Sequence, residues 1–232
     1  ALTVAALAHA QATALRTGVL VVVLPHDADA FVDDLALFTN LSIATLLAME
    51  SFGDEAAVDD PAAAARLSFV KRLTGSHAES PRIIVTTIAA LLTPLDDPRE
   101  IEASTRRLQV GGRLDPAELA DWLTARGWQA TSAVDVPGSF ARRGGIVDIF
   151  ANDWDRPVRI ELDGDEIESL RTFDTVSQRS VAELSAIDLT ALIRRLAADA
   201  GQPHEPITRC TQLADLLPPD SWWVLVEPGE LA

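Results

Sequence analysis

The stretch Ser139–Phe150, SFARRGGIVDIF, sets two arginines and two glycines between apolar runs. A guanidinium forms paired hydrogen bonds to a carboxylate or phosphate, and glycine lets the main chain turn or be approached closely. The chemistry on offer is recognition rather than bond-making. Arg142 and Arg143, with Phe140 just upstream, make the arginine–aromatic combination enriched at interface anchors. Other reactive types are placed less usefully. The carboxylate pairs Asp59-Asp60 and Asp165-Glu166 lie in charge-rich loop or turn sequence, the setting of solvated surface. Ser139 follows a glycine but lacks the second glycine of a nucleophile elbow. Cys210, in ITRCTQL, reads as a small residue near a helix start. His9, His26, His77 and His204 lack ligand spacing, so no metal site is expected.

Nucleotide chemistry is disfavoured by two details. Lys71 is the only lysine, and SFVKRLTG has no glycine-rich loop before it, so the lysine of a phosphate-cradling loop is missing. The apolar run SWWVLVEP ends in Val226-Glu227-Pro228, with valine where an ATPase strand would carry its first magnesium-holding carboxylate. No cofactor is expected in this chain.

The elements that must position these residues follow two patterns. Thr3–Thr17 reads as a helix stopped by Gly18, VLVVVLP as a strand buried on both faces, DADAFVDDLALF and AARLSFVKRL as helices. SPRIIVTT is a second buried strand and IAALLT a helical turn. This alternation describes a parallel α/β layer. From Pro94 the pattern changes. Asp115-Pro116-Ala117-Glu118 opens a helix with apolar Leu119, Trp122 and Leu123, closed by Gly127. Between Phe140 and Phe173 the apolar period shortens to two, and Asp163-Gly164 marks a tight hairpin. After about Glu183, LTALIRRLAADAG and TQLADLL read as helices and SWWVLVEP as a short buried strand. The expected organisation is a split α/β domain, 1–93 plus 184–232, with an α+β insertion at 94–183.

Composition narrows the function classes. The 232 residues carry a formal charge of −16, spread along the chain rather than held in a tail. Such a surface repels nucleic-acid phosphate, and direct DNA binding is not expected. A basic patch on such a background gains selectivity, because its surroundings repel other acidic surfaces. No apolar run is long enough to span a membrane. A single cysteine and the lack of a recognisable signal peptide fit a cytoplasmic location.

The segments VPGSFARRGGIVDIF and PVRIELDGDEIESLRTFDTVSQRS resemble the UvrB-homology module at the N-terminus of bacterial transcription-repair coupling factors (Mfd). The excision-repair helicase UvrB carries a looser version. RIIVTTIAALL and LPPDSWWVLVEP extend the likeness over most of the chain, although it is diagnostic only from about Gly127 to Ser180. The resemblance implies a degenerate, RecA-type helicase-like domain unable to hydrolyse ATP, with an inserted α+β domain (UvrB domain 2-like) that binds UvrA. It implies a non-catalytic module recruiting UvrA to stalled transcription complexes in nucleotide excision repair, within a parent protein whose ATP-dependent motor domains lie elsewhere. The alternative is a fragment of an active UvrB-type ATP-dependent DNA helicase. The family arginine before the first glycine of the RG pair, which contacts UvrA, corresponds to Arg143. A second family arginine follows a Gly-aromatic pair, where this chain has GWQA and therefore Gln129 or Ala130. Arg126 and Arg142 are the candidates to replace it.

Overall fold

The computed structural model describes residues 1–13, 18–48, 61–75, 80–192 and 210–227. The described elements divide into two compact units. The first contains α1 (Leu2–Thr13), β1 (Leu20–Leu24), α2 (Ala28–Ala36), β2 (Ile43–Leu46), most of α3 (Pro61–Thr74), β3 (Ile83–Thr87), α4 (Ile88–Leu92) and β4 (Leu95–Asp96). The second contains α5 (Pro98–Ala103), β5 (Thr105–Gln109), α6 (Pro116–Thr124), β6 (Gln129–Ala130), β7 (Ser139–Arg143), β8 (Ile146–Phe150), β9 (Val158–Asp163), β10 (Glu166–Phe173), β11 (Ser180–Leu184) and β12 (Ala186–Thr190). The chain then re-enters the first unit with β13 (Cys210–Thr211), α7 (Leu213–Leu216) and β14 (Trp222–Leu225).

The first unit is built on a four-stranded sheet in the order β14-β1-β3-β2, with every pairing parallel. All five residues of β1 are buried. Leu20, Val22 and Leu24 pack with Val4, Ala5 and Ala8 of α1 and Leu35 of α2, while Val21 and Val23 are equally buried on the opposite side. That two-sided burial is why the strand shows no polar alternation. β14 differs from expectation. It pairs with β1 as a strand should, but at the sheet edge, leaving Trp223 44% and Leu225 56% exposed. The short β2 carries too few residues to show a period and went unanticipated.

Gly18 also meets a packing demand that its sequence position does not announce. A β-carbon there would lie 2.3 Å from the Asp220 carbonyl oxygen. The close approach lets the Gly18 N–H donate to the Asp220 carboxylate at 3.0 Å and the Val19 N–H to the Ser221 hydroxyl at 3.1 Å. These bonds tie the start of β1 to the segment leading into β14. Residues 14–17, the predicted end of the first helix, lie outside the described residues.

The second unit carries a six-stranded sheet, β11-β10-β9-β8-β7-β6, antiparallel except for the short β6–β7 pairing. Period-two sequence produces a sheet whose alternate side chains enter one core. Phe140, Val147, Ile149, Val158, Ile160, Ile167 and Leu170 pack with Leu119 and Leu123 of α6. The helix begins as its sequence requires: the Asp115 carboxylate accepts N–H bonds from Ala117 at 2.7 Å and Glu118 at 3.3 Å, with Pro116 in the first turn. Gly127, at φ +80°, follows its end.

β12 pairs antiparallel with β5, so the return to the first unit falls after Thr190 rather than at 184. Leu189 and Thr190, predicted to start a helix, are the last residues of that strand, and residues 193–201 of that predicted helix lie outside the described residues. Among the described residues no helix is long and apolar enough to cross a membrane.

Candidate partner-binding site

Arg142 and Arg143 close β7 at a two-residue hairpin, with Arg143 opposite Ile146. The two glycines between them answer separate demands. Gly144 has φ +60°, which a β-carbon would strain. A β-carbon on Gly145 would lie 2.9 Å from the Leu162 carbonyl oxygen of β9. The Gly145 carbonyl in turn accepts the Leu162 N–H at 2.8 Å. One glycine turns the chain and the other lets it lie against its neighbour.

Strand alternation then separates the three β7 residues singled out from sequence. Phe140 faces Ile149 and Arg142 faces Val147, on the side of the sheet covered by α6. Ala141 and Arg143 point to the other side, where Ala141 packs with Val134, Phe150 and Phe173. Phe140 is 3% exposed and belongs to the core. Its expected place beside Arg143 at a contact surface is therefore corrected: alternate residues of a strand share a face, and Phe140 and Arg143 are three apart. Arg142 is exposed at the strand end, on the face opposite Arg143.

Arg126 follows α6. Its guanidinium lies 4.4 Å from the Trp122 ring centroid, and that of Arg106 lies 4.6 Å from the same ring. It also donates to the Trp122 carbonyl at 3.2 Å, while Arg106 pairs with Glu118 at 3.0 Å. Burial first, and the neighbouring Arg106 second, pull the Arg126 pKa below its ordinary value. The ring contact and the carbonyl hydrogen bond fasten it to the helix side. Gln129 and Ala130 are exposed on β6, the sheet edge beside β7.

The face that carries Arg143 holds two residues missed by sequence reading, Asp148 and Arg159. Asp148 is 1% exposed, and a buried carboxylate is costly unless paired. Arg159 supplies a two-pronged partner: Nε donates to Oδ1 at 2.7 Å and Nη2 to Oδ2 at 2.9 Å. Arg143 adds a longer bond from Nη2 to Oδ2 at 3.3 Å while its side chain stays 57% exposed. The hydrogen bonds to Asp148 hold the Arg159 pKa above its ordinary value, against the opposing effect of burial. Arg159 also lies 4.8 Å from the centroid of the Phe173 ring. Farther across the sheet, Glu161 accepts from Ser169 at 2.6 Å and pairs with Arg171 at 3.1 Å. The signal was present in IVDIF and PVRIEL, where Asp148 and Arg159 interrupt apolar runs. Only the β8–β9 register sets them opposite each other.

Among the described residues no group of three or more His, Cys, Asp or Glu could hold a metal ion. Asp165 pairs with Arg113 at 3.5 Å, both side chains well exposed. The Cys210 thiol is pushed up by desolvation and then by Asp96 and Asp97, which disfavours a nucleophilic thiolate.

Comparison with known proteins places the sheet within a matched segment. The UvrB interaction domain family matches residues 107–192, from β5 to just beyond β12. A transcription-repair-coupling factor of Bacillus subtilis is 35% identical over 166 residues, covering 71% of this chain and 14% of that protein. Its counterpart in Myxococcus xanthus is 34% identical over 151 residues, 65% of this chain and 12% of the relative. UvrABC system protein B of Fervidobacterium nodosum is 29% identical over 132 residues, 57% of this chain and 19% of that protein. The chain thus spans only a small part of the length of these relatives. Residues 107–192 match the UvrB interaction domain family, and the chain is similar to one portion of the bacterial transcription-repair coupling factors.

Proposed function

We propose that this chain is the UvrB-like module of a transcription-repair coupling factor, and that its six-stranded sheet docks UvrA to bring excision repair to stalled transcription. The observation that carries this reading is Arg143, an exposed guanidinium at the end of a hairpin inside the matched residues 107–192. One of its five N–H donors is committed to Asp148, which leaves a complete two-donor fork for a partner carboxylate. Arg142 and Arg126 sit toward the opposite face and take at most a rim role.

The first unit is read as a helicase-like layer without catalytic function. Its parallel sheet supports the architecture. Asp27 and Asp29 crowd the start of α2 with negative charge, a poor setting for phosphate. Lys71 stands in the last turn of α3 rather than in a loop leading to a helix. Motor activity and DNA translocation are assigned to other parts of the longer protein.

Arg143→Ala tests the reading by surface plasmon resonance against UvrA. Losing one partner of a desolvated ion pair costs about 2–5 kcal/mol, so binding should weaken by roughly 30-fold or more. Stability should fall by only about 1 kcal/mol, because the Arg143 side chain is largely exposed and the buried Asp148 keeps Arg159. Parent-like affinity would sink the assignment.

A further inference from the structure

We infer that Asp148 is a positioning residue for Arg143, and that Arg159 completes the device by fixing Asp148. This rests on the reading of Arg143 as the UvrA contact and adds how that contact is held ready. Three strands contribute one side chain each: Arg143 from β7, Asp148 from β8 and Arg159 from β9.

The asymmetry of the cluster assigns the roles. Arg159 holds both oxygens of Asp148, and its own side chain is 20% exposed. That pair alone satisfies the buried carboxylate. Arg143 makes one longer bond to the same Oδ2 and remains mostly in solvent. Folding therefore does not need Arg143 at Asp148, whereas the orientation of Arg143 does depend on Asp148. An arginine at a strand end carries considerable rotamer entropy, part of which must be lost on binding. Anchoring one Nη2 hydrogen before the partner arrives removes part of that cost.

The cluster also sets the local charge. Two guanidiniums share one carboxylate, which leaves one unit of positive charge, and its exposed part is Arg143. Without Asp148, two like charges would repel and the Arg143 tip would swing away. Gly145 helps fix the geometry, because its close approach to Leu162 sets the hairpin against β9, the strand that carries Arg159.

The test is a double-mutant cycle in the full chain, with Arg143→Ala, Asp148→Asn and the double variant, read as UvrA affinity. Asp148→Asn should weaken binding by about tenfold, equivalent to about 1.4 kcal/mol. In the Arg143→Ala background it should cause no further loss, since the residue it positions is gone. Multiplying losses, or an Asp148→Asn variant that binds like the parent while Arg143→Ala is weakened, overturns the positioning role and leaves the site reading intact. Parent-like binding by Arg143→Ala overturns both. If Asp148→Asn does not fold, Asp148→Glu replaces it in the same cycle: the carboxylate stays available to Arg159 while the anchor point moves by one methylene. A second readout needs no UvrA. The Arg143 side-chain N–H resonances should be resolved from those of freely rotating arginines in the parent and collapse onto them in the Asp148 variant. Unchanged resonances would also overturn the inference.

Discussion

At the scale of single residues, the distinction that matters is between an arginine that is shown and one that is used up. Arg143 is 57% exposed, Arg159 is 20% exposed, and both touch Asp148. Arg159→Ala should strand a buried carboxylate and destabilise the second unit by about 3–5 kcal/mol, visible as a lower midpoint in urea denaturation. Phe140 makes the complementary case. Phe140→Ala should cost about 3–5 kcal/mol of stability through the cavity it opens, with UvrA affinity unchanged in the fraction that remains folded. A binding loss without a stability loss would restore Phe140 to the interface. Sequence reading singled out Arg142 and Arg143 because arginines beside a glycine pair are conspicuous, and the family resemblance pointed to Arg143. It misplaced Phe140 because exposure depends on which strand face a residue occupies, and register fixes that face only once the neighbouring strands are in place. Cys210 offers a check with a pH axis. Its raised pKa means the thiolate forms at higher pH than in a free thiol, so iodoacetamide alkylation should be slower near pH 8 and rise later with pH.

At the scale of elements, the β7–β8 hairpin is the part most open to test. Gly144→Ala strains a backbone at φ +60°, while Gly145→Ala pushes a methyl toward the Leu162 carbonyl. Alanine at a positive-φ glycine site commonly costs about 1 kcal/mol or more. We expect both variants to lower the melting temperature. Gly145→Ala should in addition weaken UvrA binding, because it disturbs the strand contact that aligns Arg143 with Arg159. Equal binding by the two variants would show that the β9 contact has no part in presenting the arginine. The long elements were legible from sequence because their periodicity outlasts local noise: α6 with its capping Asp115, and the alternating strands β8 to β10. The short ones were not. β2, β4 and β13 have two to four residues each and owe their pairing to tertiary context. β12 was concealed by the apolar text that follows it, which reads equally well as a helix.

At the scale of the whole molecule, the charge of −16 and the division into two units shape the expected behaviour. Counterion release needs a cluster of basic groups facing phosphate, and the described arginines around the candidate site are largely engaged by acidic partners. Duplex DNA binding by the isolated chain should therefore be absent at micromolar protein and physiological salt in a fluorescence-anisotropy titration. Saturable binding there would contradict the expectation that this chain makes no direct contact with DNA. The change of periodicity near Pro94 was the sequence signal for a boundary between two parts of the chain. The return point was less legible, because β12 pairs back to β5 through a strand register that composition does not encode.

The placement of tryptophan gives the molecule a built-in optical asymmetry. It has five tryptophans and no tyrosine, so emission excited at 280 nm is dominated by indole. Trp128 is 5% exposed, and Trp122 and Trp154 pack against the same core in the second unit. Trp222 and Trp223, on the edge strand of the first unit, are already 37% and 44% exposed. Unfolding the second unit moves its indoles from protein to water and should shift the emission to longer wavelength, while unfolding the first should change the colour little. Fluorescence is thus a reporter of the sheet that carries Arg143, and far-ultraviolet dichroism reports both units. Wherever the two curves part company on heating, the gap measures how much of the parallel layer has melted out of step with the antiparallel one.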